Sequence, residues 1–147
     1  MSRGKLDEAV RLHQAGQLDE AERRYRRHLR EHRKDADTLY LLGALRLQRG
    51  DVGEGLGRLR QAVALTPAVP HFLETLASGA ETAGTAEFAL VAGRRASSIR
   101  ETAALAVQRA RLLFQLGRYA EAHAAFEALA RAGIGGLGVR LDRSEEH

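Results

Sequence analysis

Two histidines four residues apart, His28 and His32, head the side chains whose types and spacing could do chemistry. On one helix, that spacing lets both imidazoles reach a single metal ion, but a zinc site takes three or four protein ligands. No third ligand is evident, since Glu31 projects about 100° away from His32 on a helix. The pair therefore reads as part of a solvated basic face. Gly133, Gly135 and Gly138 have the spacing of a dinucleotide-binding turn, in which backbone amides approach a pyrophosphate at a helix N-terminus. Such a turn follows a strand, opens a helix and has an acidic residue about 20 positions further on. The surroundings of 133–138 supply none of these. Glu145 and Glu146 pair only in a charged terminal segment, and no serine, histidine and acid fall into a recognisable nucleophilic arrangement. With no cysteine, thiolate zinc sites, disulfides and cysteine nucleophiles are excluded. No catalytic residue, metal site or cofactor is assigned, and the expectation is a protein that is not an enzyme.

The sharpest charge feature is the run Arg23, Arg24, Arg26, Arg27, Arg30, Arg33 and Lys34, in a chain of formal net charge +4. Such a run attracts phosphates, acidic protein or anionic lipid. These cations spread around a helix instead of forming one stripe, Glu20, Glu22 and Glu31 dilute them, and no aromatic cluster accompanies them for base stacking. A solvated outer surface is expected, and nucleic acid is not the expected partner. At 44% hydrophobic and 29% charged residues, the composition is that of a globular protein and excludes a highly charged disordered chain. The longest uncharged run, 61–71, is too short to cross about 30 Å of hydrocarbon. Asp7 and Glu8 interrupt the opening residues where an export signal needs an apolar stretch, so the cytoplasm is the expected compartment.

The elements that hold these side chains are set by an internal repeat. Gly16, Gly50, Gly84 and Gly117 are spaced 34, 34 and 33 residues apart. Small residues keep the same spacing upstream, at Ala9, Gly43, Ala77 and Ala110, and downstream, at Ala21, Gly55, Ala89 and Ala122. A period of this length signals stacked supersecondary units. The recurrent glycine ends one helix in the left-handed conformation, and the small columns let two antiparallel helices approach closely. Leu12, Leu42, Leu45, Leu76 and Leu113 on first helices, with Tyr25, Leu29, Leu59, Val63 and Phe126 on second helices, fill the space around that contact. Apolar spacing of three and four residues predicts helices near 4–15, 18–32, 36–48, 52–65, 70–82, 86–98, 102–115 and 119–132. Gly53, Gly55 and Gly57 within one of them predict a soft second repeat.

Period and residue types together resemble the tetratricopeptide repeat, a 34-residue helix pair. The resemblance covers repeats near 2–35, 36–69, 70–102 and 103–132, followed by a glycine-rich tail, 133–147. It implies an all-α fold, a right-handed α-solenoid of four antiparallel helix pairs. Departures from the pattern are Lys5, Arg33, Glu101, His28 and Leu129, and Gly93 where the family places an aromatic. The second helix of the third repeat is therefore expected to pack irregularly. Residues 12–22 are also similar to the N-terminal repeats of bacterial glycosyltransferase or sulfotransferase-type proteins, which implies a recruiting or targeting module of a larger enzyme as the alternative to a free-standing adaptor.

The resemblance further implies a concave groove lined by Leu6, Val10, His13, Tyr40, Ala44, Leu47, His71, Glu74, Ser78, Glu81, Val107, Arg111 and Phe114. Leu6, Val10, Tyr40 and Leu47 are expected to form an apolar half, Glu74 and Glu81 an acidic centre, and Val107 with Phe114 an apolar end. The carboxylate clamp of some family members is absent, since Leu6, Val10, Leu41, His71 and Thr75 occupy its positions. The expected partner is a protein segment, an apolar peptide or helix with a lysine or arginine meeting Glu74 and Glu81. At the other end of the array, the last helix lacks the family's solvating helix. Either the tail folds back with Ile134, Leu137, Val139 and Leu141, or the edge pairs with a second copy as a homo-oligomer, or the chain continues.

Overall fold

The computed structural model describes residues 2–133, and the tail at 134–147, including Ile134, Leu137, Val139, Leu141, Glu145 and Glu146, lies outside the described residues. Eight helices follow one another: α1 (Ser2–Gln14), α2 (Leu18–Glu31), α3 (Ala36–Gln48), α4 (Val52–Leu65), α5 (Pro70–Thr82), α6 (Ala86–Ile99), α7 (Ala103–Gln115) and α8 (Tyr119–Arg131). Successive helices pack as four antiparallel pairs, and each pair stacks on the next through the α2/α3, α4/α5 and α6/α7 junctions. The result is an all-α right-handed solenoid, with no strand among the described residues.

Local chemistry accounts for the element ends. Gly16, Gly50, Gly84 and Gly117 have φ between +76° and +87°, and the residue after each donates its amide back to a carbonyl five residues earlier. Gln17 N reaches Leu12 O at 2.9 Å and Arg118 N reaches Leu113 O at 2.9 Å, closing the helix with left-handed glycine as its stop. Asp51 Oδ1 accepts from the Glu54 amide at the start of α4, Thr102 Oγ1 accepts from Leu105 at the start of α7, and Pro70 begins α5, where it lacks no needed donor.

The small columns sit at the contact within each pair. Ala9, Ala21, Ala77, Ala89, Ala110 and Ala122 are all 0–1% exposed. Tyr25, Leu42, Leu45, Leu59, Phe72 and Leu112 fill the interior along the array. Helix α6 runs unbroken through Gly93, and Gln108 of α7 occupies the room a larger side chain would have taken: its Oε1 would lie 3.3 Å from a Cβ at Gly93. One local expectation is corrected. His28 is not solvated but buried, its Nε2 2.8 Å from Asp35 Oδ2, which also accepts from Thr38 Oγ1 at 2.9 Å.

Candidate functional site

The first helix of each pair contributes to one face, and the predicted groove positions divide on it by burial. Leu6 does not line that face: at 3% exposure it belongs to the core with Ala9, Tyr25 and Leu39. Val10 is half-buried against the same cluster. His13 links three helices, with Nδ1 3.0 Å from the Tyr25 hydroxyl and Nε2 2.8 Å from Gln48 Oε1. Burial pushes the Tyr25 phenol up to about 12, so it stays a neutral hydrogen-bonding group.

Tyr40 and His71 hold the next junction. The Tyr40 ring stacks on Phe72 at 4.7 Å, meets His71 edge-on at 5.0 Å, and its hydroxyl lies 3.2 Å from Thr75 Oγ1. Such contacts spend much of the tyrosine on joining α3 to α5.

Between α3 and α5 the surface sinks into a depression of about 280 Å³ lined by Ala44, Leu47, Gln48, Thr75, Ser78 and Thr82, together with Gly79 and, from α4, Val52. Gly79 lets Leu47 and Leu56 pack against α5, because a Cβ there would stand 2.8 Å from Leu47 Cδ1 and 3.0 Å from Leu56 Cδ2. Sequence reasoning assigned no role to Gly79 and Val52. A glycine inside a helix, costly by up to about 1 kcal/mol, was the signal that pointed to a close approach at Gly79.

The acidic centre is occupied from within. Arg111 donates Nε to Glu81 Oε2 at 2.8 Å and Nη2 to Oε1 at 3.0 Å, while Gln108 Nε2 donates to the same Oε1 at 3.1 Å. The Arg111 guanidinium holds the Glu81 carboxyl below the usual carboxylate range, against the burial that pushes it up. Glu74 is half-buried, with Arg100 Nη2 3.8 Å from its shielded Oε1. At the far end, Val107 is half-buried, and Phe114, 59% exposed, meets Tyr119 edge-on at 5.2 Å.

Elsewhere, three cations of the basic run, Arg23, Arg24 and Arg26, form ion pairs. Arg23 and Arg24 bond Glu20, and Arg26 bonds Glu22 and Glu54. Arg46 adds contacts to Glu22 and Asp51. His28 and His32 do approach, with ring centroids 4.6 Å apart. Among the described residues, however, no group of three or more histidine and acidic side chains could hold a metal ion, and no helix is long and apolar enough to cross a membrane.

No protein-family model matches the sequence, and no curated protein sequence does. Solved structures do match. A tetratricopeptide repeat protein from Parabacteroides merdae superposes at TM-score 0.84 with 21% identity, over 95% of this chain and 56% of that one. YrrB, described as a TPR protein with an unusual peptide-binding site, superposes at 0.81 with 19% identity, over 86% of this chain and 66% of that one. A variant of the Thermobaculum terrenum O-GlcNAc transferase gives 0.70 with 24% identity, over 76% of this chain but only 22% of that one. These likenesses establish the fold as a tetratricopeptide-type array of about four repeats.

Proposed function

We propose that the chain is a non-catalytic, cytoplasmic protein-interaction scaffold that seats a peptide or short helix along the face built from α1, α3, α5 and α7. The observation that carries this reading is the depression between α3 and α5, which gathers Ala44, Leu47, Ser78 and Thr82 beside Gly79. An apolar side chain of the partner fills it, as amphipathic segments fill helix-lined grooves. The peptide-binding site named for YrrB supports the same use of a similar fold. A lysine or arginine of the partner is directed to Glu74 and Glu81, and at Glu81 it exchanges with Arg111.

The test is a selection of displayed peptides on the wild type, followed by titration of the selected peptides against Ser78→Arg. Ser78 is exposed, so the substitution fills the depression without touching the core. At least tenfold weaker binding by Ser78→Arg supports the groove; equal binding by both proteins rejects it.

A second reading, a recruiting module of a larger transferase, is favoured by the likeness to the O-GlcNAc transferase, of whose length this chain spans about a fifth. Reading the gene beyond the codon for His147 separates the two: a continuing transferase sequence supports the module, a stop codon the adaptor. Self-association through the last helix pair is supported by the exposure of Tyr119 and Phe126, 62% and 38%, and the mass in solution tests it.

A further inference from the structure

The second helices of successive repeats face one another across three junctions, and each junction carries an arginine at the same place in the period: Arg26, Arg60 and Arg94. The residues opposite, again one period apart, are Glu54, Phe88 and Glu121. At the first junction the pairing is bidentate, Arg26 Nη1 and Nη2 each donating to a Glu54 oxygen at 2.9 Å. At the third, Arg94 Nη2 lies 3.5 Å from Glu121 Oε2. The middle junction breaks the pattern. Phe88 replaces the carboxylate, the Arg60 guanidinium lies 4.7 Å from the centre of its ring, and no described carboxylate pairs with Arg60.

Phe88 also lines an apolar cleft. Between α4 and α6, over α5, a cavity of about 480 Å³ is lined by Val63, Leu76, Phe88 and Val91 and flanked by Arg60 and Arg95. Its volume lies within the range of about 300–1,000 Å³ common to binding clefts. Val91 stands 62% exposed at its rim, where the equivalent positions are the small Gly57 and Ala124. Arg95, like Arg60, has no carboxylate partner among the described residues, in contrast to Arg26, Arg46, Arg49, Arg109 and Arg111.

We infer that this cleft on the outer face, distinct from the groove proposed above, docks an acidic amphipathic protein segment. A large apolar side chain of the partner enters between Val63, Leu76 and Val91, and a partner carboxylate takes on Arg60 the place that Glu54 and Glu121 take on Arg26 and Arg94. A second carboxylate meets Arg95. The fit is to a protein segment because the charged groups number two and flank an apolar floor, whereas a nucleic-acid surface needs an extended series of cations along a backbone.

The probe is a fluorescein-labelled helical peptide with leucines at every third and fourth position between glutamates, titrated by anisotropy at about physiological ionic strength, where surface charge alone is screened beyond about 8 Å. The wild type binds it saturably, and a peptide of equal charge with serine for leucine binds at least tenfold more weakly. Arg60→Glu and Val91→Asp, both at exposed positions, weaken binding at least tenfold, as does Phe88→Glu, which supplies the missing carboxylate from within. Ser78→Arg leaves this binding unchanged. Circular dichroism and melting establish that each variant is folded. The inference is overturned by absence of saturable binding, by equal binding of the serine peptide, or by indifference to Arg60→Glu and Val91→Asp. It is equally overturned if a single-stranded oligonucleotide binds in an Arg60-dependent way while the peptide does not.

Discussion

Gly43 and Gly55 meet backbone to backbone across the α3–α4 contact: a Cβ built on Gly43 would lie 2.9 Å from the Gly55 carbonyl oxygen, and one on Gly55 would lie 3.0 Å from that of Gly43. The side chains of Leu59 and Leu47 close in at 2.9 and 2.8 Å. This is the tightest form of the small-residue column that the other three pairs build from alanine. A methyl group at either glycine has to push two helices apart, so Gly43→Ala or Gly55→Ala lowers stability by about 1–3 kcal/mol through overpacking. Gly57, on the same helix, has no heavy atom within 4 Å of the position a Cβ would take. Gly57→Ala therefore raises stability by about 0.5–1 kcal/mol. Thermal melting of the three variants checks the contrast, and a destabilising Gly57→Ala would contradict it.

Tyr40 joins α3 to α5 by ring packing more than by its hydroxyl. Tyr40→Phe keeps the stack on Phe72 and loses only the contact to Thr75, a change of about 0.5–1.5 kcal/mol. Tyr40→Ala removes the ring and approaches, without reaching, the roughly 3–5 kcal/mol of a fully buried aromatic. Urea midpoints of the two variants separate the contributions. Peptide binding to Tyr40→Phe should match the wild type, which makes it the better groove control.

Asp35 contributes to the acid limb of stability. Burial pushes its carboxyl up, but the bonds from Thr38 and His28 outweigh that and leave it below the ordinary value. A carboxyl depressed in the folded state contributes stability that is full above its unfolded value of about 3.9 and is lost as pH falls through the folded value. Asp35→Ala costs about 1–3 kcal/mol at neutral pH by leaving two donors short of a partner. Unfolding midpoints followed from pH 7 down to pH 2 should show the wild type losing its advantage over the variant only below about pH 4.

Arg111 guards Glu81. Removing it with Arg111→Ala leaves Gln108 as the remaining donor to the carboxylate, so the Glu81 titration moves up toward the ordinary value of about 4.3. The pair is partly exposed, and its loss costs stability no more than about 1 kcal/mol. Carboxyl NMR titration follows the shift, and selected groove peptides carrying a lysine should bind Arg111→Ala more tightly than the wild type.

Helix pairing and helix ends were legible in the chain because their causes are local. Left-handed glycine at 16, 50, 84 and 117, small residues seven positions before and five after each of them, and apolar spacing of three and four act within one repeat, so the eight helices fall within two residues of their expected bounds. The groove was legible only as a set of positions. Leu6 went to the core and His28 to a buried bond with Asp35, because burial depends on how far the neighbouring repeat overlaps each end of a helix. Gln108 over Gly93, Arg111 on Glu81 and the broken series Arg26–Glu54, Arg60–Phe88, Arg94–Glu121 join residues 15 to 30 apart on separate helices. Repeat spacing alone determined which residues occupy equivalent places. Whether two such residues touch, and whether a charge among them is left without a partner, was decided by the superhelical stacking that brings one repeat's side chains within reach of the next.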